Sequence, residues 1–350
     1  KIKLKNCYNQ LLHEDLALLL ATSGSTGSPK VVKLTYQNIE SNTLSIIEYL
    51  SINQNERPIT TLPMSYSFGL SIINSHLSSG ATLLLTNRSL FEKEFWSFLK
   101  KEKATSLSGV PYTFDMLKKL RFTRMDLPHL QTLTQAGGKM NKDLNKDFVE
   151  FCKVSKKRFF VMYGQTEATA RMSYLSHEFA LSKMGSIGLA IPNGRFSLIN
   201  EAGETIQESK IIGELVFEGP NVSMGYAECV NDLSNNDENQ GRLITGDLAK
   251  RDVDGFYYIV GRKKRFLKIF GNRVNLDETE RLLKDITTEC ACTGYDDKII
   301  VYTTDNLKID KIRDYISSKL GLHHSAFSIK YIESIPKNSY GKTIYSDLKF

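Results

Sequence analysis

Thr22-Ser23-Gly24-Ser25-Thr26-Gly27-Ser28-Pro29-Lys30 follows the apolar run Leu16–Ala21 and combines small, hydroxylated and cationic residues. Such a segment reads as a phosphate-binding loop. Its glycines let backbone amides turn inward as donors, its five hydroxyls add more donors, and Lys30 brings a positive charge. The usual P-loop places four residues between its glycines and ends Gly-Lys-Ser/Thr. Here only Ser25 and Thr26 separate Gly24 from Gly27, and Lys30 follows Pro29, so the chemistry belongs to another nucleotide-using class.

Working outward, Ile39, Ile46, Ile47 and Leu50 recur at helical spacing, with Thr35 as a candidate cap. Short apolar segments then alternate with helical ones. Strands are expected at Ile59–Leu62, Ala81–Thr86, Ser106–Val110 and Arg158–Tyr163, and helices near Phe68–Leu77, Phe91–Lys101 and from Tyr112. That alternation argues for an α/β fold with a parallel sheet flanked by helices. From Gly185 onward short strands are broken by Gly, Pro and Asn, which reads as a small antiparallel, barrel-like unit. Past Arg262 the pattern is that of a compact α+β terminal domain. The polar stretch Asn231–Gly241 reads as an exposed loop.

At 350 residues and 41% hydrophobic, the chain can bury a large core and form more than one unit. Its longest apolar runs fall far short of the roughly 20 residues a membrane span needs, so no span is expected. The net charge of +7 is spread out, and the densest run, Arg262–Arg265, lacks the interleaved aromatics of a nucleic-acid surface. No nucleic-acid partner is expected. Five cysteines without Cys-x-x-Cys spacing read as reduced thiols of a cytoplasmic protein, and the histidines show no ligand spacing for a protein-built metal site.

Four further segments follow the loop in order: Tyr163-Gly164-Gln165-Thr166-Glu167; Thr245-Gly246-Asp247-Leu248; residues 261–271; and Pro336-Lys337-Asn338-Ser339-Tyr340-Gly341-Lys342. Together with the loop they resemble the blocks of the adenylate-forming (AMP-binding) superfamily, nearest to the acyl-CoA synthetases. The resemblance implies a flavodoxin-like parallel-sheet subdomain over residues 1–184, incomplete at its start, a small β-barrel over 185–263, and a mobile α+β C-terminal lid over 264–350. It also implies ATP-dependent activation of a small carboxylic acid to an acyl-adenylate, with pyrophosphate release. The acyl group then passes to the phosphopantetheine thiol of coenzyme A or of an acyl carrier protein.

The resemblance assigns residues as follows. Thr22, Ser23, Gly24, Ser25, Thr26, Gly27 and Lys30 hold the β- and γ-phosphates, Thr166 donates to the α-phosphate, and Glu167 binds Mg²⁺, which one carboxylate plus phosphate oxygens commonly holds. Tyr163 and Gly164 flank the adenine, Gly137 and Gly138 let backbone approach the purine edge, and Asp247 and Arg262 face the ribose. Lys342 is the catalytic lysine of adenylation, Lys264 the hinge, and Gly271 lines the thiol tunnel. Tyr66, Ser67 and Gly69 fall in the acyl pocket.

Three positions depart from the family pattern: Val31 replaces a glycine, and Tyr36 and Tyr66 stand where histidine is usual. Ser67 stands where the amino-acid-activating members carry an aspartate for the α-amine. A buried ammonium without a counter-charge would cost several kcal/mol, which disfavours an amino acid and favours an uncharged acyl or aryl acid. Amino-acid adenylation and a nucleotide-binding module without turnover are the competing readings.

Overall fold

The computed structural model describes residues 12–21, 30–337 and 343–348. They form two compact units, the first from residues 12–21, 30–245 and 250–258, the second from 246–249, 259–337 and 343–348.

The first unit is built on a six-stranded sheet, β3 (Pro58–Ile59), β4 (Ser106–Gly109), β5 (Thr132–Gln135), β6 (Arg158–Tyr163), β7 (Ser173–Leu175) and β8 (Leu189–Ala190), paired in that order. β3 to β6 are parallel, while β7 and β8 extend the sheet antiparallel. Alternation along the strands sends side chains to two faces. Leu107, Leu133 and Phe159 face one core with Phe95 and Leu99 of α3 (Lys93–Lys101), Phe114 and Leu117 of α4 (Pro111–Lys119) and Phe148 of α5 (Lys142–Val154). Phe160 and Met162 face the other core, with Ile46 and Leu50 of α1 (Tyr36–Leu50) and Phe68 and Ile72 of α2 (Ser67–Ser78).

Thr35 caps α1 as its sequence suggests, in a reciprocal box. Its hydroxyl accepts from Asn38 N at 2.9 Å, and the Asn38 side chain accepts from Thr35 N at 2.9 Å. The expected strand at Ala81–Thr86 does not form. Only Leu84 bridges Ile59, because β3 is two residues long and offers little edge to pair with.

A smaller sheet orders β1 (Leu16–Ala21), β2 (Val31–Thr35) and β11 (Tyr226–Ala227). β1 and β2 are antiparallel with Ala21 opposite Val31, so they bracket the glycine-rich loop, whose residues 22–29 lie outside the described ones. A third sheet places β9 (Arg195–Ile199), β10 (Ile212–Glu218), β12 (Arg242–Arg251) and β13 (Tyr257–Arg262) side by side, the last two joined at the Asp254-Gly255 turn.

In the second unit, β14 (Phe266–Ile269) and β15 (Asn272–Asn275) form a hairpin. β16 (Cys290–Tyr295), β17 (Lys298–Thr303) and β18 (Phe327–Tyr331) form a sheet in that order, with β17 and β18 parallel across α7 (Ile309–Leu320). Cys292, Ile299 and Val301 pack against α7 and α6 (Leu276–Leu283) on one face, while Ala291, Ile300 and Tyr302 pack with Ile335 and Leu348 on the other. Arg265 pins this unit together. It donates to Asp277 at 2.7 Å, to Glu280 at 2.6 Å and to the Cys292 carbonyl at 2.6 Å, with its guanidinium 4.0 Å from the Tyr345 ring.

Candidate active site

β6 ends at Tyr163, and the chain turns at once into a 3₁₀ turn over Thr166–Ala168. Gly164 is required there. A Cβ at that position would lie 1.9 Å from the Ala170 carbonyl oxygen, so the returning backbone leaves room for hydrogen alone. This apposition presents Thr166 and Glu167 at the end of the parallel strands, the usual ligand position in open α/β sheets. Tyr163 is partly exposed, with its ring 6.5 Å from that of Phe196, and its hydroxyl accepts from Gln165 at 3.3 Å. Gln165 also donates to the Thr245 carbonyl at 3.0 Å.

Thr166 Oγ1 lies 3.2 Å from Ser67 Oγ at the start of α2. Tyr66, the residue preceding α2, sits against Gly137, where a Cβ would lie 2.6 Å from the tyrosine hydroxyl. Gly137 also has a φ of +84°, so both space and backbone demand glycine. A Cβ on Gly138 would lie 3.3 Å from the Pro111 ring. Gly69 is different. A Cβ there would lie 2.2 Å from the Pro63 carbonyl oxygen, so its missing side chain answers packing of α2 onto the preceding loop.

Tyr226 of β11 joins two of the candidate residues. Its hydroxyl donates to Glu167 Oε1 at 2.7 Å, and Lys30 Nζ lies 5.6 Å from its ring centroid. Lys30 also pairs with Glu228 at 2.7 Å, both side chains being partly open to solvent. Glu228 sits in a turn closed by Asp232, whose carboxylate accepts from the backbone N–H groups of Glu228 at 2.8 Å and Cys229 at 2.9 Å. Those bonds hold Asp232 below its ordinary carboxylate range.

Lys33, the next outlier in β2, is fully buried. It donates to the Asp232 carbonyl at 3.1 Å and lies 3.8 Å from Glu238, tying the polar stretch after β11 onto the sheet. The segment read as an exposed loop therefore has a one-turn 3₁₀ start, Val230–Ser234, and a buried lysine beneath it. Neither Tyr226 nor Lys33 is found by sequence reasoning. The one available signal is a lysine between Val32 and Leu34 in an otherwise apolar strand.

In the second unit, Asp247 is 3% exposed, and Arg262 reaches it with Nε 3.2 Å from Oδ1 while remaining largely in solvent. Gly246 turns the backbone with a φ of +70°. Lys264 is exposed on the 3₁₀ turn Lys263–Arg265 that links β13 to β14. Phe270 and Gly271 form the tight β14–β15 turn with φ values of 49° and 82°, so Gly271 answers a hairpin that needs positive φ. A Cβ at Gly271 would meet no heavy atom within 4 Å. Lys342 lies outside the described residues; Lys337 and Thr343 pair on either side of its segment.

Among the described residues no three His, Cys, Asp or Glu side chains gather into a metal cage. A single carboxylate, Glu167, beside the hydroxyl of Thr166 is the donor set suited to Mg²⁺ that arrives with phosphate oxygens. Among the same residues, no helix is long and apolar enough to cross a membrane.

The model of the AMP-binding enzyme family matches residues 5–227. The chain is 30% identical over 354 residues to the Probable CoA ligase CCL5 of Humulus lupulus, covering 96% of this chain and 63% of the relative. It is 26% identical to the 2-succinylbenzoate–CoA ligase of Geobacillus, covering 98% of this chain and 70% of the relative. Among solved structures, the o-succinylbenzoate CoA synthetase of Bacillus subtilis with its acyl-adenylate intermediate superposes with a TM-score of 0.80 at 25% identity. That match covers 97% of this chain and 70% of that one. The same enzyme with ATP and magnesium ion gives 0.78 at 26% identity, covering 96% and 70%. The chain thus spans less than two thirds of the Humulus relative's length.

Proposed function

Since the chain belongs to the AMP-binding enzyme family, we propose that the protein of which it is part is an ATP-dependent, AMP-forming acid–thiol ligase. A carboxylate oxygen of a small carboxylic acid attacks the α-phosphorus of ATP and pyrophosphate leaves. A phosphopantetheine thiol then attacks the acyl carbon and AMP leaves. The thiol belongs to coenzyme A, as in the named relatives' ligase activity; an acyl carrier protein presents the same group. The observation that carries this reading is Tyr226 linking Glu167 to the Lys30 side of the β1–β2 hairpin.

Each residue's role follows from its chemistry. Lys30 and the loop of residues 22–29 neutralise the β- and γ-phosphates, and the Thr166 hydroxyl donates to the α-phosphate. Glu167 would hold Mg²⁺, which neutralises charge on the phosphates when bound, and the Tyr226 hydroxyl orients that carboxylate. The face of Tyr163 takes adenine, with Gly164 and the backbone of Gly137 and Gly138 at the base edges. Asp247 accepts from the ribose hydroxyls, with Arg262 fixing its carboxylate. Tyr66 and Ser67 border the acid. Ser67 offers no charge for an α-amine, so amino-acid activation is disfavoured.

The working division is a flavodoxin-like α/β subdomain (1–184), a barrel-like subdomain (185–263) and a mobile lid (264–350), with Lys264 as hinge, Lys342 serving adenylation and Gly271 the thiol step. We also place the protein in the cytoplasm, which agrees with the four cysteines among the described residues being free thiols, two of them buried.

The test separates the half-reactions on the full-length protein. Lys342→Ala should abolish ATP–pyrophosphate exchange yet still convert a supplied acyl-adenylate to thioester. Lys264→Pro should spare exchange and slow thioester formation, because it fixes φ and removes a backbone donor at the hinge. Equal loss of both activities in both variants would rule out domain alternation.

A further inference from the structure

After β18 the chain is buried at Ile335 and again at Leu348, both packed with Ala291, Ile300 and Tyr302. Between those two points Ile344 N donates to the Pro336 carbonyl at 2.8 Å, and Lys337 and Thr343 form an antiparallel bridge. Residues 336–337 and 343–344 therefore make a closed stem, and the stretch 338–342, which lies outside the described residues and ends in Lys342, joins its two sides.

The two sides are tethered unequally. Lys337 pairs with Glu289 at 2.5 Å, but the two side chains are 40% and 44% exposed, and such a pair contributes little. On the returning side, the Tyr345 hydroxyl donates to Glu280 Oε2 at 3.0 Å. Glu280 is itself fixed, because its other oxygen accepts from Arg265 Nη2 at 2.6 Å and from the Cys292 N–H at 2.7 Å. The Arg265 guanidinium, on a side chain 12% exposed, lies 4.0 Å from the centre of the Tyr345 ring. Burial pushes the Tyr345 phenol above its ordinary value, with the Glu280 charge adding to the effect, so its proton stays available to donate.

Arg265 directly follows Lys264, which is exposed on the 3₁₀ turn Lys263–Arg265. Arg265 also donates to Asp277 in the first turn of α6. The first residue past Lys264 thus belongs to the packed body of the second unit, and Tyr345 ties the stem to that same residue. Three residues of chain span at most about 11 Å, so an anchor at Tyr345 limits where Lys342 can go.

We propose that Tyr345 is a positioning residue for Lys342: held by Arg265 and Glu280, it fixes the base of the Lys342 segment and makes that segment turn with the residue that follows the hinge. This rests on the ligase reading above, in which Lys342 serves adenylation and Lys264 is the hinge. Tyr345 touches neither acid nor nucleotide in this role. Lys342 acts while the carboxylate oxygen attacks the α-phosphorus and pyrophosphate leaves, so loosening its base slows that step and spares the thiol step.

The test uses the full-length protein, with octanoate, benzoate and cinnamate as acyl and aryl probes, and two variants. Tyr345→Phe keeps the ring beside Arg265 and removes the donor to Glu280; Tyr345→Ala removes both contacts. In ATP–pyrophosphate exchange, kcat should fall by roughly 10-fold in the Phe variant and by roughly 100-fold in the Ala variant, since displacing a reacting group by about 1 Å costs on that order. KM for ATP should stay within about twofold, as should conversion of a supplied acyl-adenylate to thioester, because the lost interaction belongs to the transition state of adenylation alone. A tyrosine that merely holds the unit together would lower both half-reactions equally and in step with the melting temperature, and that result would overturn the proposal. Exchange unchanged in both Tyr345 variants, with Lys342→Ala abolishing it, would overturn the proposal and leave the ligase reading standing. Exchange that survives Lys342→Ala would sink the lysine's assigned role and the proposal with it.

Discussion

Asn38 does more than cap α1. Its side-chain oxygen accepts from Thr35 N at 2.9 Å, and its Nδ2 donates to the carbonyls of Pro220 and Val222, each at 2.8 Å, from a side chain 6% exposed. It therefore fastens the start of α1 to the segment that leads into Tyr226 and Glu228. Asn38→Ala removes three hydrogen bonds and leaves a buried carbonyl at Val222 without its partner. At about 1 kcal/mol for each bond, with the orphaned group adding to that, the loss should be about 3–4 kcal/mol.

Asn38→Asp separates the two roles. It keeps the acceptor that serves the cap and turns two donors into a carboxylate facing two carbonyls, so it should destabilise at least as much as Ala. Urea unfolding followed by Trp96, the single tryptophan, reports the first unit, because Trp96 packs against its main core. With a slope of about 1–3 kcal/mol per M, the midpoint should fall by about 1 M or more in both variants. An Asp variant as stable as wild type would show that capping alone matters and would refute the tie between α1 and the Tyr226 segment.

Two further outcomes follow from single contacts. Tyr226→Phe removes the donor to Glu167 and should raise the Mg²⁺ concentration needed for half-maximal exchange by roughly 10- to 100-fold, as loss of a partner to a metal-binding side chain commonly does; an unchanged Mg²⁺ titration at saturating ATP would contradict the Glu167 assignment. His76 is buried, donates from Nδ1 to the Ile72 carbonyl at 2.7 Å, and is held below its ordinary 6.5 by burial. The unfolded chain takes up a proton below pH 6.5 that the folded chain resists. His76 therefore lowers stability as pH falls from 6.5 toward its folded value and has no effect well above 6.5. Replacing it by Gln should flatten stability against pH in that window, and an identical slope in both proteins would contradict it.

The regular parts of this chain are legible because local signals agree with the fold. Arg158–Tyr163 is read as a strand and is one, since its apolar side chains serve both faces of a covered parallel sheet. The Asp254-Gly255 turn is equally clear, with Gly255 at a φ of +88°. β7 and β8 escape notice because three and two residues carry too little pattern. The fold's buried charges are the larger miss. Lys33 and Arg171 look like solvent-facing residues in apolar segments, and only tertiary structure shows them covered, one by the polar stretch after β11 and the other by Phe68 and Tyr49. Arg265 likewise sits in a basic run that reads as hinge, yet it is the ion-paired centre of the second unit. The nucleotide blocks were readable as blocks, but Tyr226, which links two of them, belongs to none.

Acid-dependent ATP–pyrophosphate exchange on the full-length protein tests most directly the proposed activation of a carboxylic acid through an acyl-adenylate. Label should pass from pyrophosphate into ATP only when a suitable acid and Mg²⁺ are present. Glu167→Gln and Lys30→Ala should each lower the rate by about 10²-fold or more, because each removes charge aimed at the phosphates. ATP binding with no exchange across mono- and dicarboxylic acids, or exchange indifferent to both substitutions, would contradict the account.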